Sequence, residues 1–352
     1  MNRLDFKKKL HSIIDECKLL NVDFERVYTV LSSTAQKLPS LNIEPFFSKL
    51  TGYVKEDFLQ PEEVAQKLRD EAVELLQSKG TFKPDFRLLQ QATRNALARM
   101  QLRRNMFVPI GIHEAVNTLP SETSSGFPEF HRPKSELREQ VIAIMSQIIM
   151  NNEFDLIYNA MISYVSWRTQ ERFSGTKYRQ FFIFPMVINA FENMFMRPII
   201  YYYQNMEYSM YNSYSFHSDF REQKMIWEYA QNSKIVIGLD YSQYDLHVSQ
   251  EMIAYSMYTI KSLFRLNWWQ SVIFDKIILC HIDSYVVTNY QGRRVIIRKR
   301  SGVLSGSVFT NFLDTIINQI MLDYALLALN IDPKSVTIKV KGDDTLLISS
   351  NT

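Results

Sequence analysis

Four aspartates stand at places where the chain should turn. In "KVKGDDTLLIS", Asp343 and Asp344 follow Gly342. Val336, Ile338 and Val340 alternate with polar residues before the turn, and Leu346, Leu347 and Ile348 form a short apolar run after it. This pattern predicts a β-hairpin, with glycine permitting the sharp reversal. Two carboxylates held this close repel each other unless a cation offsets them. A Gly-Asp-Asp turn is by itself more often an exposed turn than a site, so other segments decide. Asp240 ends the run "KIVIGLD", which reads as a core strand from Ile235 to Leu239. A charge there is expensive unless something binds it. Asp245 follows five residues later, before a helix capped by Ser249 that carries Ile253, Met257, Ile260 and Phe264 on one face. Asp240, Asp343 and Asp344 together offer hard oxygen ligands suited to Mg²⁺, with Mn²⁺ as the alternative ion. Two such ions about 3.5–4 Å apart would activate an attacking hydroxyl and stabilise a leaving pyrophosphate.

Two further groups of residues suit a nucleotide. In "SGVLSGSVFTNFLDTIINQIMLDYALLAL", a flexible Ser305-Gly306-Ser307 turn precedes a helix to about Leu329. Most of that helix is apolar, yet Thr310, Asp314 and Asn318 recur at four-residue spacing along one face. Such a stripe either bonds neighbouring backbone or faces a wet cleft, where it could read a ribose 2′-OH. Lys177 and Arg179 alternate in "RFSGTKYRQFFIFP", so on a strand both share one face, either as a solvated edge or as a clamp for a triphosphate.

The elements that must position these residues read as mixed α/β. The chain has 352 residues, 46% hydrophobic and 22% charged, which is ample for a large core and unlike a disordered chain. A net charge of +3 argues only weakly for a polyanionic partner. Cys17 and Cys280 are too far apart in sequence to suggest a metal or disulfide motif, and the six histidines form no zinc pattern. No apolar run is long enough to cross a membrane, and the charged start "MNRLDFKKKLHSII" is unlike a signal peptide. Residues 1–110 read as mostly helical, with Arg94, Arg99, Arg103 and Arg104 on one helix. The tyrosine-rich tract "IIYYYQNMEYSMYNSYSF" reads as packing surface. After Lys234 the order is strand, helix, hairpin, helix, hairpin.

These pieces resemble the motifs of a viral RNA-dependent RNA polymerase. Asp240 and Asp245 match D-x4-D, Ser305, Gly306 and Thr310 match SG-x3-T, and Gly342-Asp343-Asp344 match GDD. Lys177 and Arg179 look like the triphosphate-binding motif, and "TSSGFP" around Gly126 and Pro128 looks like a template-strand motif. The string "GVLSGSVFTNFLDTIINQ" is most similar to partitivirus and picobirnavirus-like polymerases of double-stranded RNA viruses.

The resemblance implies an α/β right-hand fold, an α+β palm with largely helical fingers and no thumb. It divides the chain into a helical extension over 1–110, fingers over 111–190, and a palm over 191–352 with a fingers insertion near 265–303. Asp240, Asp343 and Asp344 would be the catalytic and metal-binding residues. Asp245, Thr310, Asp314, Asn318, Lys177 and Arg179 would bind ribose and triphosphate, with the choice between Asp314 and Asn318 left open. Ser305, Gly306, Ser307, Gly126 and Pro128 would lie along the template. The implied partners are RNA, NTPs and a viral capsid protein, and the implied location is the host cytoplasm, inside the virion. The chain stops just after the GDD hairpin, so the resemblance also implies a fragment whose Thr345–Ser349 strand has an open outer edge. The rival readings are a reverse transcriptase-like polymerase and a non-catalytic RNA-binding piece of a polymerase.

Overall fold

The computed structural model describes residues 17–20, 70, 72–77, 83–126, 129, 132–172, 175–241, 243–290 and 293–349. For 17–20, 167–172, 175–180, 289–290 and 293–294 the description is of the backbone. Most of the expected N-terminal helical extension, and Pro128, lie outside these residues.

In chain order the elements are β1 (Cys17–Leu20), α1 (Phe86–Arg99), α2 (Ile112–Asn117), α3 (Arg138–Met150), α4 (Asp155–Asn159), β2 (Ile162–Arg172) and β3 (Gly175–Ile183). Then come α5 (Met186–Gln204), α6 (Phe220–Gln231), β4 (Ile235–Leu239), α7 (Tyr244–His247), α8 (Gln250–Lys261) and α9 (Trp268–Ile282). The chain closes with β5 (Tyr285–Tyr290), β6 (Arg293–Arg298), α10 (Thr310–Ala328), β7 (Thr337–Lys341) and β8 (Asp344–Ser349). The mixture of helix and sheet is that of an α/β protein, and no described helix is long and apolar enough to cross a membrane.

The strands form two sheets. One has five strands in the order β1-β6-β5-β2-β3, and the other has three in the order β4-β8-β7. The hairpin at 285–298 therefore joins the strands that carry Lys177 and Arg179, not the sheet that carries the aspartates. The three-stranded sheet lays Ile338 and Val340 against Leu322 and Leu326 of α10.

Helix α10 is the central pillar. Phe312, Leu313, Ile316, Ile317 and Ile320 are all buried, as their spacing around the helix requires. Helix α1 packs along it, burying Leu89, Ala92 and Ala96, and is capped by Asp85, whose side chain accepts from the Arg87 and Leu88 amides. The tyrosine tract is packing surface in part: Tyr203 and Tyr214 are buried and stack edge-on 4.8 Å apart, while Tyr211 is exposed. Ser249 caps α8 as expected, accepting from the Met252 amide at 3.2 Å.

Three expectations need correction. Helix α1 ends at Arg99 and the chain leaves through Gln101 at φ 55°, so Arg103 and Arg104 lie beyond it. At the end of that helix Arg99 Nε meets the buried Asp323 at 3.1 Å. The run Ile235–Leu239 is not a core strand. It pairs with β8 at one edge of its sheet, leaving Ile235, Val236 and Ile237 at 40%, 46% and 45% exposure. An apolar run of five looks the same in sequence whether one or both edges are paired. The Thr345–Ser349 strand is correspondingly the middle of the sheet, with β4 and β7 at its edges.

Candidate active site at the end of the three-stranded sheet

The β7–β8 hairpin pairs Lys341 with Asp344, leaving Gly342 and Asp343 as a two-residue loop. Gly342 takes φ +62°, a conformation that favours glycine at the first loop position. Across the sheet Leu239 pairs with Thr345, so the next residues outward, Asp240 and Asp344, end adjacent strands side by side. Neighbouring strands lie about 4.8 Å apart, within reach of one shared ion or substrate. Asp240 and Asp344 are exposed and Asp343 is half-buried. The acids are thus presented to solvent at the edge of a fold that is otherwise well packed.

The polar stripe of α10 approaches this end from below. Asp314 is 4% exposed and, among the described residues, its Oδ1 has no hydrogen-bond partner. Burial pushes its pKa well above the usual carboxylate range, and the Asp245 and Asp343 carboxylates push it further. Asp245 and Asp343 therefore lie near enough to Asp314 for their charges to act on it. Asn318 is used differently. Its amide donates to the Gly342 carbonyl at 3.0 Å, the Asp343 carbonyl at 3.2 Å and the Thr345 hydroxyl at 2.8 Å. Thr310 also turns inward, donating to the Leu304 carbonyl at 2.9 Å and the Ser307 carbonyl at 3.0 Å. Two of the three stripe residues therefore hold backbone, and Asp314 keeps an uncommitted oxygen.

The glycine loop rests on the five-stranded sheet. The Phe182 amide donates to Ser305 Oγ at 3.1 Å. A Cβ on Gly306 would fall 2.1 Å from the Phe182 carbonyl oxygen, so only glycine allows this approach. Gly126 docks on the same strand end, at φ +68°, where a Cβ would meet the Phe184 carbonyl oxygen at 2.1 Å. The Met186 amide donates to the Ser125 carbonyl at 2.7 Å beside it. Lys177 and Arg179 lie two residues apart on β3, paired with Gln170 and Arg168 of β2. Alternation along that strand places them on one face.

Several residues that the sequence reading passed over complete the site. Thr315 Oγ1 accepts from the Gly342 amide at 2.8 Å, fixing the hairpin from a second point on α10. The Tyr244 hydroxyl donates to the Asp314 carbonyl at 3.3 Å, and the Tyr241 hydroxyl to Asn318 Oδ1 at 3.4 Å. Thr315 lies on a second polar line of the same helix, with Asn311, Gln319 and Asp323 at four-residue spacing, a signal in the sequence that could have found it.

The donor set fits a hard divalent cation without enclosing one. Among the described residues no three carboxylate, imidazole or thiol groups close into a metal cage. Asp240 and Asp344 form an open row on two adjacent strand ends, with Asp343 in the turn beside them. No ion pair to Asp240, Asp343 or Asp344 forms among the described residues. Mg²⁺ suits such a row, since it binds through one or two carboxylates and keeps water or substrate phosphate as its remaining ligands.

A segment of 92 residues, 26% of this chain, is 30% identical to an RNA-directed RNA polymerase of Cryptosporidium parvum virus 1 (strain KSU-1), and it spans 17% of that relative's length. The signature of the family described as viral RNA-dependent RNA polymerase matches residues 80–352, from just before α1 through the aspartate hairpin. The chain that sets these acids at the end of its small sheet therefore belongs to the viral RNA-dependent RNA polymerase family.

Proposed function

We propose that this chain carries the active site for template-directed RNA synthesis from NTPs, as part of the replication of a viral RNA genome. The observation that carries this reading is the meeting of Asp240, Asp343 and Asp344 at one sheet end, with Asp245 and Asp314 beside them. In the reaction the 3′-oxygen of the growing RNA bonds to the α-phosphorus of the NTP. The bond to the pyrophosphate breaks, and the 3′-hydroxyl proton is lost.

Asp240 and Asp343, assisted by Asp344, would hold Mg²⁺, Mn²⁺ being able to replace it. Bound there, the ions would lower the pKa of the attacking hydroxyl and neutralise charge on the leaving group. The chain's own residues do the positioning. Asn318 and Thr315 hold the hairpin turn so that Asp343 and Asp344 keep their places. Asp245 and Asp314 read the ribose 2′-OH, and Asp314 is preferred over Asn318 because the Asn318 amide is committed to the hairpin. Lys177 and Arg179 bind the triphosphate, and Ser305 and Gly306, with Gly126, border the template, while the Ser307 hydroxyl turns away from it to Glu192. In this assignment the three-stranded sheet with α10 is the palm, and the five-stranded sheet with its helices belongs to the fingers.

The test is single-nucleotide extension of an RNA primer–template by the polymerase that contains these residues, in Mg²⁺, with NTPs and dNTPs compared. Template-matched addition of ribonucleotides supports the proposal. Addition of deoxynucleotides alone, or RNA binding without any addition, refutes it.

A further inference from the structure

The Ser305-Gly306-Ser307 loop is held from behind by a buried polar cluster that the reaction does not touch. Glu192 of α5 has no solvent exposure, and His281 of α9 has 1%. His281 Nε2 and Glu192 Oε1 are 2.8 Å apart. The other carboxylate oxygen, Oε2, accepts from Ser307 Oγ and from the Val308 amide, each at 2.8 Å. Ser307 Oγ in turn accepts from the Phe309 amide at 2.9 Å. A carboxylate wholly removed from water is costly unless paired and hydrogen-bonded, and a well-packed apolar residue could fill the same space more cheaply. Phe184 and Phe309 line the ring of His281, and the buried Lys299 ammonium donates to the His281 carbonyl.

What the cluster gains is a fixed backbone. It grips the amides of residues 308 and 309, where the glycine loop enters α10. The front of the same loop rests on β3 through Ser305 and Gly306. Strand β3 runs into α5 within three residues, so one continuous stretch of chain supports the loop at its front and, through Glu192, at its rear. The Ser125–Gly126 segment docks on that same junction.

We infer that Glu192, bridged to Ser307 and braced by His281, is a positioning residue for polymerisation: a latch that sets the glycine loop against the β3–α5 junction. This rests on the polymerase reading above. It assigns Glu192 no contact with substrate or ion. Its effect passes through the loop, so it should appear in the turnover of bound nucleotide and not in nucleotide affinity.

The experiment pairs amide hydrogen exchange with kinetics, using Glu192→Gln, Ser307→Ala and Ser307→Thr. Ser307→Ala is the smaller change and serves if Glu192→Gln fails to fold. In Ser307→Ala, exchange at Phe309 should quicken roughly tenfold, the scale of one lost buried hydrogen bond. Amides in the middle of α10, Ile316 to Ile320, should keep their protection. In the polymerase containing these residues, kcat should fall roughly tenfold or more through loop misplacement, with KM for NTP little changed. Ser307→Thr, which keeps the hydroxyl, should restore both. Unchanged exchange at Val308 and Phe309 overturns the proposal, as does protection lost evenly along α10 or an unchanged kcat. If the unaltered polymerase makes no RNA, the polymerase reading fails, while exchange still reports whether the loop is latched.

Discussion

Two of the places where this chain gathers charge are built in opposite ways. At the end of the three-stranded sheet, Asp240 and Asp344 stand exposed on adjacent strands, and no described cation pairs with them. Behind the glycine loop, Glu192, His281 and Lys299 are each at 1% exposure or less and each is hydrogen-bonded. The exposed acids cost the fold little and remain open to an ion or a phosphate. The buried groups are expensive to desolvate and spend their bonding capacity on backbone. In the proposed reading, the contrast separates residues placed to react from residues placed to hold the reacting ones still. Asp314 stands between the two classes, buried like the second and uncommitted like the first.

The largest effects should come from the exposed class. Asp240→Ala should lower nucleotide addition by at least ~10²–10³, the scale of losing a major electrostatic stabiliser. Asp344→Ala, in the assisting position, should cost less. RNA affinity should change little in either variant, because it comes mainly from basic groups on phosphates. Equal losses in both, or loss of RNA binding, would break the ranking.

Gly306→Ala comes next. Its methyl group would meet the Phe182 carbonyl oxygen and lift the loop off β3. A displacement of about 1 Å near a reacting centre can cost about 10² in rate. Gly238→Ala, on β4 with no neighbour within 4 Å of the added carbon, is the control and should be near neutral. If the two glycine variants behave alike, close packing of the loop is not what matters.

The stripe on α10 gives smaller and divided effects. Asp245→Ala and Asp314→Ala should each narrow the preference for NTP over dNTP, because a site with polar groups for the 2′-OH rejects the ligand lacking it. Asn318→Ala should instead destabilise the chain by roughly 1–3 kcal/mol, the cost of leaving buried groups unpaired. Thermal unfolding and an NTP/dNTP competition on the same three variants would show this division or abolish it.

The smallest effect is a pH dependence. Burial lowers the Lys299 pKa to about 7, against the opposing pull of Asp283. A pKa lower in the folded than in the unfolded chain means that the unfolded chain holds more protons between the two values. Stability from this group therefore grows as pH rises from about 7 toward the unfolded value near 10.5, and is lost as pH falls through about 7. Denaturant unfolding of the unaltered chain and of Lys299→Met at pH 6, 7.5 and 9 should show their difference shifting in favour of lysine as pH rises. Parallel curves would contradict it.

Much of this site was legible in the sequence because its pieces are local. Gly342-Asp343-Asp344 announces its own turn, and the period of α10 announces its stripe. The unread parts depend on contacts between distant segments. Asn318 and Asp314 have the same periodicity, and only the approach of residues 342–345 separates the residue that holds from the one left free. Glu192 lies in a buried helix 115 residues before Ser307, where an acid between Phe191 and Asn193 gives no hint of its partner. The placing of β4 at an edge was hidden for a similar reason, since hydrophobicity records what a strand prefers and not which neighbours it finds.

The most direct measurement is to follow Asp343→Asn through both single-turnover ribonucleotide addition and thermal unfolding. The substitution keeps the size of the side chain and the hairpin, and removes one carboxylate charge from the sheet end. If the acids there are placed to react, the rate should fall by at least ~10² while the unfolding temperature stays the same or rises slightly, as repulsion with its neighbours is relieved. Near-normal addition, or a loss of rate matched by a loss of stability, would show that Asp343 belongs to the scaffold and not to the chemistry.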